Sequence, residues 1–259
     1  FKAKKGVILG TGGFGGNVDF LKYWTPNEWN MTGNYGGAPT NMGDGVRMGM
    51  GVGADFVPCD FFLLIPFSGG PDLYDQGIGP WRYDFDMALV NICRYPTLII
   101  NKEGERFCNE DSFWPGSLTC YSIYKQPDHL GYYVYDEGHS EEFVRKPVTG
   151  YCARLKSDVC KIMGPDEKLY DNPEHDWHIG MQTEIKKGRI HQADTLEELA
   201  RSYGLPADTF RRTANRYNEI VRKGVDDDFG KRPECLSPLT DPPFYMIRSK
   251  GSHHCDMGW

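Results

Sequence analysis

The 259-residue sequence predicts an α+β fold, and three observations carry that prediction. A short apolar run, Gly6 to Leu9, feeds directly into a turn crowded with glycine. Strand-like runs rich in aromatic and β-branched residues occupy the stretches 98–108 and 130–135. Two later segments repeat apolar residues at the spacing of one helical face.

Taken in chain order, Gly6 to Leu9 reads as a buried strand, and Thr11, Gly12, Gly13, Gly15 and Gly16 form the turn that follows it. A turn this rich in glycine lets backbone N–H groups approach a ligand closely, although such turns after strands are also common in proteins without one. Asn17 is placed to cap a short helix, Val18 to Trp24, whose start offers further N–H groups to an anion or a dinucleotide. Gly43-Asp44-Gly45 opens a second helical stretch, through Ala54, with an acid in its first turn. Leu98 to Asn101, a turn at Lys102-Glu103-Gly104 and then Glu105 to Cys108 read as a hairpin, and Leu130 to Tyr135 as a further strand. Leu196, Leu199, Ala200 and Tyr203 lie at i, i+3, i+4, i+7, and Phe210, Ala214, Tyr217 and Val221 repeat that face. Asp194 or Thr195 caps the first of these helices and Gly204 ends it. Asp226-Asp227-Asp228 reads as a solvated loop, because no calcium-loop spacing follows it. Gly69 to Gly79 is a long irregular stretch.

Composition excludes more than it selects. Lys plus Arg number 29 against 36 for Asp plus Glu, and the net charge of −7 argues against nucleic acid or an anionic membrane as a partner. No run is long and apolar enough to span a bilayer. The eight cysteines contain no C-x-x-C pair, so neither a zinc ribbon nor an iron–sulfur spacing is indicated, and scattered buried thiols are the simpler reading. His253, His254, Cys255 and Asp256 form the one dense cluster of potential metal ligands, and no metal is assigned to it.

Several segments in order resemble the FAD-dependent fumarate reductase and succinate dehydrogenase flavoprotein family, with its ketosteroid-dehydrogenase and urocanate-reductase relatives. They are AKKGVILGTGGFGGN from Ala3, GDGVRMGMGVGA from Gly43, LIINKEGERFCNED from Leu98, the helical stretch from Asp194 to Gly224, DFGKRPE from Asp228, PPFY from Pro242 and HHCDMG from His253. The resemblance implies an α+β capping (substrate) domain of a flavoprotein, with partial segments of a Rossmann-like FAD-binding domain. Residues 1–55 would be one FAD-domain segment, 56–248 the capping domain and 249–259 the start of the return into the FAD domain. The N-terminal G-x-G-x-x-G unit of such enzymes has no counterpart here, so the sequence reads as an internal fragment whose partners include the remaining FAD-domain segments of a parent protein.

By resemblance, FAD is the cofactor, contacted by Thr11, Gly12, Gly13, Phe14, Asn17, Gly43 and Asp44. The family passes a hydride between the flavin N5 and a C=C or CH–CH bond of a small-molecule substrate, while protein groups move the proton. The motifs name no electron donor. His253 or His254, with His254 preferred, matches the substrate-binding histidine, and Arg94 echoes a substrate-binding arginine, with Asn91 near the matching glutamate. The donor arginine of the carboxylate-reducing members falls at Trp114, and their HP-containing stretch finds Pro58-Cys59-Asp60-Phe61-Phe62. A pocket with fewer cations disfavours a small dicarboxylate, so a larger, less charged substrate is expected, steroid-like or aromatic. Tyr121, or Tyr124 beside it, is then the candidate proton donor, with a core role as the plain alternative. Arg94 is the other polar candidate, with a surface salt bridge as its alternative. The competing reading is an isolated capping module that binds a ligand or partner without catalysis.

Overall fold

The computed structural model describes residues 3–26, 40–57, 63–68, 97–110, 117–139 and 177–255. In chain order these form α1 (Val18–Trp24), α2 (Asp44–Gly51), β1 (Leu63–Ser68), β2 (Leu98–Ile100), α3 (Ser117–Tyr124) and β3 (Gly131–Asp136). There follow α4 (Trp177–Lys186), β4 (His191–Ala193), α5 (Leu196–Ser202), α6 (Ala207–Lys223) and β5 (Phe244–Cys255).

The sheet is organised by β5, which is long enough to pair with three neighbours. Antiparallel β3 runs along one flank, while β1 and β4 share the other, β4 against Phe244–Met246 and β1 against Ser249–Cys255. Strand β2 extends the sheet beyond β3. Alternation divides the side chains between two faces. Leu98, Ile100, Tyr132, Val134, Phe244 and Met246 form one core with Leu199 and Ala200 of α5 and Phe210, Ala214 and Tyr217 of α6. Ile99 and Tyr133 face the other way, against Ile123 of α3 and Cys108. Because both faces are covered, every residue of β3 is buried.

Both predicted amphipathic helices form where the apolar spacing puts them. The Thr195 side chain accepts the Glu198 N–H at 3.2 Å, capping α5, and α6 ends at Gly224 with φ 72°. The predicted hairpin forms in part: Gly104 takes φ 78° in its turn, and the Asn101 side chain accepts the amides of Glu103 and Glu105. Gly104 is required twice, since an added Cβ would also stand 3.0 Å from the Phe210 nitrogen of α6. The second arm shrinks to a single bridge between Ile100 and Arg106, because from Arg106 onward the chain is drawn into a buried charge cluster.

In that cluster the Arg106 guanidinium donates to both oxygens of Glu110 at 2.8 Å and to both of Asp226, at 3.1 and 2.7 Å. Lys231 stands 3.2 Å from Glu110 and donates to the Tyr217 hydroxyl at 2.8 Å. Asp226 also accepts the amides of Asp228, Phe229 and Lys231, and the rings of Tyr217 and Phe229 flank the guanidinium. The acidic triplet is therefore not a solvated loop throughout. Asp227 and Asp228 are exposed and pair with Lys223 and Arg216, but Asp226 is turned inward to a cation 120 residues away.

Two outcomes follow from the cluster. Burial works to raise the Asp226 carboxyl, yet Arg106 and the backbone amides outweigh it and hold the group at about 2. A depressed carboxyl stabilises the fold above its ordinary value near 4 and loses that contribution as pH falls toward 2, on the order of 2 kcal/mol. Urea unfolding of the full chain between pH 6 and pH 2.5 is expected to show this acid limb, and Asp226→Asn to flatten it. Lys231→Met, which breaks a buried pair from one side, is expected to lower stability by about 3 kcal/mol in the same assay at pH 7.

Candidate functional site

The glycine-rich residues predicted to meet a cofactor lie on two segments that the fold laces together. The Gly43 amide donates to the Gly13 carbonyl at 3.1 Å, and the Gly16 amide to the Asn41 carbonyl at 2.8 Å. Asn17 works in both directions, accepting the Phe20 amide at 3.1 Å as the cap of α1 and donating to the Met42 carbonyl at 3.0 Å. Phe14, Phe20, Leu21, Val46 and Phe56 fill the space beneath. Phe14 is therefore a core side chain, and its contribution to any ligand site is limited to its backbone.

Close approach explains the glycines. Gly12 and Gly43 have φ of 77° and 79°, in the left-handed region. A Cβ on Gly45 would lie 2.2 Å from the Thr11 hydroxyl, and one on Gly43 would meet the Phe20 ring at 2.8 Å. Thr11, Gly12 and Asp44 are exposed at the surface of this junction, where α2 begins without a side-chain cap on its first-turn amides. Among the described residues no acceptor takes the amides of Thr11 and Gly12. Such a backbone surface suits an anionic or dinucleotide ligand. The residues present thus fit the pyrophosphate-bearing cofactor that the resemblance implies, with Thr11 to Gly13, Gly43 and Asp44 as the backbone that would hold it. The start of α1 is less open than expected, because Asn17 occupies one of its amides. A cleft of about 560 Å³ runs beside it, lined by Asp19, Phe20, Tyr23, Trp24, Arg47 and Met50.

Gly6 to Leu9 corrects an expectation. The segment is not a buried strand: it is irregular, and Val7 and Ile8 are 76% and 97% exposed. An apolar run becomes a strand only when neighbours take its backbone hydrogen bonds, and among the described residues none pairs with it.

Tyr121 and the His253–His254 pair lie on elements that pack together elsewhere, α3 across β1 and β5. Tyr121 is partly exposed on α3, packed against buried Cys120, and among the described residues its hydroxyl has no hydrogen-bond partner. Tyr124 is differently committed: His129 stacks on its ring at 4.5 Å, and the same imidazole bonds its carbonyl through Nδ1 at 2.6 Å. Ring packing therefore separates the two tyrosines, while among the described residues the Tyr124 hydroxyl, like that of Tyr121, has no hydrogen-bond partner. His253 pairs with Leu64 and Cys255 with Leu63, so His254 is the additional residue of a β-bulge. Bulges interrupt the two-residue alternation and occur often beside functional sites. Arg94 and Trp114 lie outside the described residues, as do Asn91, Pro58–Phe62, Gly69–Gly79 and Asp256. Among the described residues no group of three His, Cys, Asp or Glu could hold a metal, and no helix is long and apolar enough to cross a membrane.

Sequence reasoning missed Gly45 and Asn41 as members of the laced junction, and missed the Arg106 cluster altogether. Gly45 carried a signal, the second glycine of Gly43-Asp44-Gly45. Nothing local marks Asn41 or joins Arg106 to Asp226.

Known proteins share both sequence and fold with this chain. The chain is 29% identical to an NADH:acrylate oxidoreductase of Vibrio harveyi over 98% of its length, and 30% identical to a 3-oxosteroid 1-dehydrogenase of Mycolicibacterium smegmatis over 88%. It is 26% identical over its full length to a urocanate reductase of Eggerthella lenta. It spans only 21%, 35% and 36% of those three proteins. The fold resembles the open conformation of a flavocytochrome c3 fumarate reductase, with TM-score 0.63 and 24% identity over 98% of this chain and 36% of that one. A 3-ketosteroid delta1-dehydrogenase from Sterolibacterium denitrificans gives TM-score 0.64 and 21% identity over 99% of this chain and 43% of that one. The sequence pattern of the family described as FAD binding domain matches residues 1–258, and the chain belongs to this FAD-binding family.

Proposed function

We propose that the chain is part of an FAD-dependent oxidoreductase that exchanges a hydride between the flavin and a C=C or CH–CH bond of a small organic substrate. The observation that carries this reading is the junction of Thr11–Asn17 with Asn41–Gly45, a backbone surface with glycine wherever a side chain would intrude. When bound, FAD supplies the hydride chemistry. The chain's own residues orient the substrate, exclude water and move the proton.

Tyr121 is the proposed proton donor to the substrate carbon, or acceptor in the reverse direction. A phenol suits the task when the site lacks a cationic acid, and its hydroxyl is uncommitted. His254, with His253 beside it, is proposed to bind the substrate from the bulged end of β5, and Arg94 and Trp114 to complete the pocket. Neither α3, SLTCYSIY, nor β1, LLIPFS, contains a charged residue. Carboxylates against such a wall would lose hydration without gaining pairing, which favours a larger, neutral or weakly charged substrate over a dicarboxylate. In the proposed division, residues 1–55 belong to the FAD domain, 56–248 to the cap and 249–259 to the return. The exposed Val7, Ile8 and Val52 support a parent protein whose further FAD-domain segments cover them.

Three measurements test the reading. An absorption spectrum of the purified protein, with and without added FAD, should show flavin bands that persist after gel filtration. A colourless protein that takes up no FAD would favour the isolated capping module. Gly45→Ala, which drives a methyl into Thr11, is expected to weaken FAD retention by tenfold or more while far-ultraviolet circular dichroism stays unchanged. In the complete enzyme, Tyr121→Phe is expected to lower kcat by roughly 10²-fold or more with little change in KM. Turnover at the parent rate would remove Tyr121 from the mechanism.

A further inference from the structure

We infer that Arg248 anchors a binding site for a small oxyanion, a carboxylate or phosphate group, on the face of the sheet opposite α3. Arg248 lies in β5 directly across from Tyr132 of β3, on the side packed by α5 and α6. Cross-strand partners in an antiparallel pair hold their side chains next to one another, so the guanidinium and the phenol form an adjacent pair. The arginine is partly buried, and its Nε, sealed from solvent, has no acceptor among the described residues. Among the described residues no carboxylate pairs with it, whereas Arg106, Arg189 and Arg216 each hold one within 3.1 Å. A guanidinium cannot shed its proton to escape this position. A partly buried cation with an unmade hydrogen bond is matched by an anion, and most simply by one with two oxygens.

The surroundings leave that role to Arg248 and Tyr132. Burial raises the Tyr132 phenol above its ordinary value, which keeps it a donor. Tyr203 directs its hydroxyl to the Met246 carbonyl at 3.2 Å. His191 stacks on Tyr203 and is tied through Nδ1 to the Ser202 hydroxyl at 2.8 Å, while that hydroxyl donates to the Leu199 carbonyl. Burial, assisted by repulsion from Arg248, lowers the imidazole below its ordinary value, so it adds no second charge at neutral pH. Asp128, whose charge reaches Tyr132, is neutralised by Lys102 at 2.6 Å, and Glu103 is the remaining acid acting on that phenol. The site shares no residue with the flavin junction or with the proposed reaction.

Sodium acetate and inorganic phosphate, titrated into the full chain against sodium chloride at matched ionic strength, test the site through the arginine Nε–H signals and the thermal midpoint. A saturable response to acetate, phosphate or both, beyond that to chloride, is expected, and the preferred anion identifies the group the site takes. Arg248→Gln is expected to weaken the response by about tenfold or more, and Arg248→Lys, which keeps the charge without the fork, by severalfold. Responses to both anions no greater than to chloride would overturn the site. So would parent-like affinity in Arg248→Gln or, if that variant does not fold, in Arg248→Lys.

Discussion

Four buried charges, Arg106, Glu110, Asp226 and Lys231, bind together parts of the chain that lie more than a hundred residues apart. Each would be costly to bury alone, and the cluster is tolerable because two cations face two carboxylates and the amides of residues 228, 229 and 231 complete the acceptors. Such a cluster is weak evidence for net stability, since a well-packed apolar replacement often does as well. Its stronger effect is on arrangement. Glu110 also accepts the Ile99 amide at 3.3 Å, so the cluster reaches into β2, while Tyr217 and Lys231 carry it to α6 and the loop beyond. The cluster thereby ties β2 to α6 and the loop beyond it, at one side of the sheet in which β5 lies between β3 and its other two neighbours.

The candidate site depends on that placement. Strand β5 leaves the shared core at Met246 and continues alongside β1 to the bulge at His254, with α3 lying over the pair. A histidine on an interrupted strand and a tyrosine with an uncommitted hydroxyl thus come from segments more than a hundred residues apart. At the glycine junction the constraint is steric instead. The segments containing Thr11 and Gly45 approach so closely that a single methyl would collide.

Legibility followed the range of the interactions. The α5 and α6 helices, the Asn17 and Thr195 caps, the positive φ at Gly104 and the aromatic strand near 131–136 were all readable, because periodicity, capping and turn chemistry act over a few residues. The strand expected at Gly6–Leu9 was misread for the complementary reason: a strand is a property of its neighbours, and apolar residues alone do not supply them. Asp226 was misread because its partner is distant in sequence, and a run of three acids looks the same whether or not one of them is turned inward.

The amino-acid sequence by itself determined the cofactor family, through ordered glycine and hairpin motifs, and it determined the local elements that those motifs occupy. Tertiary structure alone decided which acid of Asp226–Asp228 is buried, which tyrosine of α3 stacks on His129, and that His254 falls on a bulge. Those outcomes depend on charges paired across 120 residues and on strand register, which residue spacing within any one segment does not specify.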